Sequence, residues 1–192
     1  MKRMERRAFA LEELRIDDVG DRRRIRGHAA VFDSLSLDLG GFREKIDPGA
    51  FQRTIREDDV RALVNHDPNL VLGRNKAGTL RLMEDARGLA IEIDPPDTQG
   101  ARDLLTLLGR GDISQMSFGY YALSDRWETQ GSEAIRTLEE VQLVDVSVVT
   151  FPAYPETDAG LRSAILAEGW ARLARAGRGI DLLRREIQLA RD

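Results

Sequence analysis

The chain has no cysteine and only two histidines, His28 and His66, among its 192 residues. The first absence excludes disulfides, a thiol nucleophile and cysteine-ligated zinc, and it is compatible with a reducing compartment. The second leaves too few imidazoles for a histidine-rich metal site, and the chemistry read from the candidate residues below needs neither a metal nor an organic cofactor. An excess of positive charge is missing too. The formal net charge is −4, whereas nucleic-acid binding favours clustered positive charge, so no nucleic-acid partner is expected. Arg22-Arg23-Arg24 is a local basic cluster, but Asp17, Asp18 and Asp21 stand beside it, which reads as a charged hairpin turn. Long apolar runs are also absent. The charged segment from Met1 to Arg7 leads into no hydrophobic stretch, so neither a signal peptide nor a membrane span is expected.

What is present is the composition of a soluble globular protein, with 42% hydrophobic and 32% charged residues. The length suffices for one sizeable core, or for one domain with a helical tail. Alternation and turn chemistry predict a β-hairpin over 6–32, then a loop over 33–47 with Gly40-Gly41. Asp47 and Pro48 open a short helix through Ile55. Strands are predicted over Val60 to His66, Thr79 to Met83, Leu89 to Ile93, Ile113 to Leu123 and Glu139 to Thr150, where Phe151-Pro152 ends the last one. Thr98 to Leu108 is an amphipathic helix that Thr98 caps and Gly109 stops. After Ala159 the spacing turns helical. The expected organisation is a β domain over 1–160 and a helical segment over 161–192. Its fold class is mainly β with flanking helices (α+β), built as a β-barrel of about seven strands.

Three side chains are candidates for chemistry. On strand parity His66 closes a strand on the face of Val60, Ala62 and Val64, a pose that suits a partly buried imidazole. Ser117 shares a face with Gln115, Gly119 and Tyr121, and Gly119 is expected to leave room there for a substrate backbone. A histidine base would activate such a serine as a nucleophile. Asp145 lies on an apolar face with Val141, Leu143 and Val149, where a carboxylate needs a partner. That partner is either the imidazolium of a catalytic triad or one of the many basic residues. Taken one at a time, His66 and Ser117 fit ordinary structural roles as well. Glu140 and Ser147 are weaker candidates than Asp145 and Ser117. His28 reads as a strand residue, and Asp94-Pro95-Pro96-Asp97 as a strand-to-helix connection.

Five segments carry a resemblance when taken in order. They are Gly27-His28-Ala29-Ala30-Val31-Phe32, the run from Phe42 to Phe51, Asn65-His66-Asp67, the run from Met116 to Tyr120, and the run from Val144 to Pro155. In this order and spacing they resemble the tailed-phage (caudovirus) prohead serine proteases, over roughly residues 6–160. The resemblance implies a β-barrel similar to herpesvirus assemblin, with flanking helices. It implies a serine endopeptidase that cleaves scaffold and major capsid protein segments, and itself, during prohead maturation. The nucleophile falls on Ser117, the base on His66 and the third member on Asp145, where related sequences often have glutamate. The enzyme is expected inside the immature head in the host cytoplasm, not secreted, without a membrane partner and as a possible homodimer. The oxyanion site is expected in the segment from Tyr154 through Leu161-Arg162-Ser163. The 161–192 segment fits docking, dimerisation or an autolytic tail. Two rivals stand beside this expectation: an inactive β-barrel assembly protein of the procapsid, and a β-barrel binding module of another family.

Overall fold

The computed structural model describes residues 3–9, 14–19, 22–131 and 133–151. The helical segment expected over 161–192 and the oxyanion segment expected after Tyr154 lie outside these residues. The described chain is mainly β. Its strands are β1 (Glu5–Phe9), β2 (Arg15–Val19), β3 (Arg22–Val31), β4 (Phe42–Ile46), β5 (Arg61–Val64), β6 (Asp67–Arg74), β7 (Leu80–Glu84), β8 (Gly88–Ile93), β9 (Gln115–Gln130) and β10 (Glu133–Val149). Two helices, α1 (Gln52–Glu57) and α2 (Gln99–Arg110), interrupt them.

The strands pair as two sheets. One runs β1-β9-β10-β5-β6, with β4 also on β10, and the other runs β2-β3-β8-β7. This corrects the expected barrel of about seven strands: there are ten among the described residues, and no ladder there closes the two sheets into one ring. The reason lies in β10. At 17 residues it is long enough to take two strands on one edge, β4 beside Ala134–Leu138 and β5 beside Asp145–Val148, both parallel to it. Its other edge pairs with β9 along the whole length of a long hairpin. Meanwhile β2 with β3, and β7 with β8, are local hairpins that find their partners in each other. Apolar residues of both sheets then meet in one core, with Ile25, Leu89, Ile91 and Ile93 from one and Met116, Phe118, Val141 and Val146 from the other.

Two further departures matter for the site. The expected hairpin over 6–32 splits: β2 and β3 form the hairpin, while β1 leaves it and pairs antiparallel with β9. The strand expected to reach His66 ends at Val64. The helices follow their sequence signals more closely. In α2, Ala101, Leu104, Leu105 and Leu108 are buried, and the Thr98 side chain accepts the Ala101 N–H. The helix runs past Gly109 and stops at Gly111, which takes the left-handed φ of 80° that a C-terminal cap requires. α1 starts later than expected, because Asp47 to Phe51 form turns; the Glu84 carboxylate on β7 accepts the Phe51 N–H at 2.7 Å.

Candidate active site

The site is assembled around β10. Ser117 on β9 sits opposite Ser147, and Gly119 sits opposite Asp145. On the other edge of β10, Asp145 aligns with Arg61 and Val148 with Val64, so the turn after β5 projects over the same region. That turn is Asn65-His66, a two-residue connection between β5 and β6. Both residues have positive φ, 52° and 57°, the backbone of a type I′ hairpin turn. Asparagine suits its first position, whereas the second usually holds glycine. Placing His66 there costs about 1–2 kcal/mol of local strain. The turn is stapled to β10 and the residue after it. The Asn65 N–H donates to the Val148 carbonyl (2.9 Å), and its side chain accepts from the Thr150 N–H (2.9 Å) and donates to Thr150 Oγ1 (3.2 Å).

His66, Ser117 and Asp145 form one chain of hydrogen bonds. His66 Nδ1 lies 2.6 Å from Asp145 Oδ1, and Nε2 lies 2.7 Å from Ser117 Oγ. A carboxylate only accepts, so Nδ1 is the donor, and the Nε2 lone pair of the neutral ring faces the serine. The Ser147 hydroxyl donates to the same Asp145 oxygen at 2.6 Å. All three groups are buried: the His66 and Asp145 side chains are 8% and 6% exposed, and Ser117 has no exposed surface. The register of β10 against β9 slips between Leu143 and Asp145, which re-aims Asp145 toward the turn. Gly119 is needed because a Cβ there would overlap the Asp145 carboxylate. The expected room for a substrate backbone at Gly119 is thus taken by Asp145.

The structure brings the three main candidates together, but it presents His66 from a turn, not from a strand end. The weaker candidates fall elsewhere or into support. Glu140 pairs with Arg53 (2.7 Å), and His28 with Asp85 (2.9 Å). Asp94 pairs with Arg24 and Arg81, and Ser147 is the neighbour that holds Asp145.

Sequence reasoning missed the contact made by β1. Ala8 aligns with Ser117, and the Ser117 hydroxyl lies 2.9 Å from the Arg7 carbonyl, placed to donate to it. One hydroxyl proton therefore faces two acceptors, Arg7 O and His66 Nε2. The run Glu5-Arg6-Arg7-Ala8 carries no alternation that would mark this pairing in the sequence.

Comparison with known proteins now settles the family. The model of the caudovirus prohead serine proteases matches residues 11–168. The chain belongs to the caudovirus prohead serine protease family. It is therefore a capsid-maturation protease of tailed phages, a peptidase that acts in the immature head. Among solved structures it is similar to the bacteriophage T4 capsid assembly protease gp21, at 10% identity and a TM-score of 0.54, over 76% of this chain and 96% of that one. At that identity the likeness speaks to fold alone. No curated protein matches the chain. Among the described residues no helix of this prohead protease is long and apolar enough to cross a membrane.

Proposed function

We propose that this prohead protease hydrolyses peptide bonds through a Ser117–His66–Asp145 triad. The observation that carries the proposal is the unbroken hydrogen-bond chain from Ser117 Oγ through both nitrogens of His66 to Asp145 Oδ1. Ser117 Oγ attacks the peptide carbonyl carbon while His66 Nε2 takes its proton. Asp145 holds Nδ1 protonated and stabilises the imidazolium. Collapse of the tetrahedral intermediate breaks the C–N bond as Nε2 returns the proton to the leaving amine. Water then attacks the acyl-serine by the same route. The substrates are segments of the scaffold and major capsid protein, and the chain itself.

The burial of Ser117, with β1 paired beside it, fits a latent resting state, because every group of the triad is present and paired. A protease that acted before assembly would destroy its own scaffold.

The test is processing of a co-expressed cognate capsid precursor. The full chain processes it, and Ser117→Ala lowers the rate by at least about ten-thousandfold. Equal processing by Ser117→Ala rules out the triad.

A further inference from the structure

β1 lies on the nucleophile strand as a substrate would. It is an extended segment added antiparallel to β9, in register from Glu5 opposite Tyr120 to Phe9 opposite Met116. Its Arg7 carbonyl is the backbone group within hydrogen-bond reach of Ser117 Oγ. Extended peptides commonly bind proteases and other receptors by adding such a strand, with main-chain bonds for affinity and pockets under alternate side chains for specificity. The side chains of Glu5 and Arg7, which share one face of β1, enter such a pocket.

The Arg7 guanidinium forks onto Glu44, with Nε to Oε1 at 2.8 Å and Nη2 to Oε2 at 3.2 Å. It also sits 5.7 Å from the centre of the Tyr120 ring, a cation–π distance. Glu44 is 2% exposed, and the Tyr120 hydroxyl donates to its Oε1 at 3.0 Å. A buried carboxylate held by a buried phenol is a costly arrangement that a basic side chain offsets. Two residues earlier, Glu5 is gripped by both Nη atoms of Arg136, at 2.7 and 3.1 Å. Arg136 is also 2% exposed and bonds Glu44 at 3.0 Å. The acceptor for arginine and the donor for glutamate are thus one connected cluster rooted in β4, β9 and β10.

We infer that this cluster is the specificity pocket of the protease, selecting substrates with arginine immediately before the cut bond and glutamate two residues before that. The inference rests on the Ser117 protease proposed above. The chain carries its own copy, Glu5-Arg6-Arg7-Ala8, with the Arg7–Ala8 bond at the nucleophile. Cleavage there transfers the Arg7 acyl group to Ser117 and the hydroxyl proton, by way of His66, to the Ala8 nitrogen. Water then releases Arg7 with a free carboxylate. Residues up to Arg7 leave, and the pocket is open to the same sequence pattern in another chain.

The test uses the unmodified full chain, with Ser117→Ala as control, so it does not depend on whether a variant of buried Glu44 folds. The probes are a peptide of the sequence of residues 3–12 and relatives with lysine, glutamine or glutamate in place of the arginine before the cut. One further relative has glutamine in place of the glutamate. Denatured capsid precursor serves as a general substrate. Expected are Ser117-dependent cleavage between arginine and alanine, and a chain product beginning at Ala8. Glutamine or glutamate in place of the arginine lowers kcat/KM about a hundredfold or more, because the buried Glu44 carboxylate loses one of its two cationic partners and keeps only Arg136. Ser117-dependent cuts that ignore charge at this position, or that fall in the precursor but not in these peptides, overturn the pocket and leave the protease standing. No Ser117-dependent cut in any substrate overturns both.

Discussion

The hydroxyl proton of Ser117 has two acceptors in reach, and in the proposed triad the one it takes decides whether the enzyme is at rest. Bonded to the Arg7 carbonyl it is satisfied and idle; bonded to His66 Nε2 it is poised for transfer. The other residue-scale control is on Asp145, whose carboxylate fits only because Gly119 has no side chain. Gly119→Ala pushes that carboxylate away from His66. Its expected effect is a loss of about a hundredfold in kcat, as for small misplacements of a catalytic group, with KM little changed; steady-state kinetics on a peptide substrate reads the split. Ser117, His66 and Asp145 are legible in the sequence as candidates through the ordered motifs that carry the family resemblance, since each alone fits a structural role as well. The space at Gly119 is not legible in the sequence, since its close neighbour Asp145 reaches it from the paired strand β10 at a register slip.

At the scale of elements, the turn explains what alternation along a strand does not reveal. His66 is aimed by two left-handed residues and by the stapling of Asn65 to Thr150. The pair Asn65-His66 lacks the glycine that would have signalled a type I′ turn. For the same reason β6 was invisible: Pro68 and the exposed Leu70 and Val71 blur its pattern, and pairing with β5 makes it a strand. The second sheet is clamped at Asp94, which follows β8 and bonds Arg24 of β3 (2.6 Å) and Arg81 of β7 (2.9 Å). Burial alone would raise the Asp94 carboxyl, but its bonds to Arg24 and Arg81 outweigh that and hold it below the usual carboxylate range. A depressed carboxylate contributes stability that is complete above its unfolded pKa and is lost as pH falls through the lowered folded value. Asp94→Asn is therefore expected to be less stable than the parent by about 1 kcal/mol at pH 7. The gap narrows as pH drops below about 4. Urea unfolding across pH measures it; a gap that stays constant into acid contradicts the clamp.

For the whole molecule, chemistry and core share one strand. β9 turns Ser117 toward His66 and Phe118 toward the core, where the Phe118 ring meets Phe51 edge-on at 5.7 Å and Tyr120 at 5.0 Å. Phe118→Ala is expected to cost about 3–5 kcal/mol in urea unfolding; a change below about 1 kcal/mol would show that the core does not depend on this ring. The β-rich character was legible from alternation, and the α2 face from its leucine spacing. The division into two sheets was not, because it depends on which strands β10 accepts along its length and on β1 leaving its sequence neighbours for β9. Those choices are long-range, and local pattern is silent on them. The central claim is that Ser117 is a nucleophile activated by His66. Fluorophosphonate labelling tests it most directly, with the full chain held under the conditions in which it processes its precursor and peptide mass spectrometry locating the adduct. The account predicts one adduct, on Ser117, that disappears in a folded His66→Ala variant. An adduct-free Ser117 in a chain that is cutting, or labelling indifferent to His66, would contradict it.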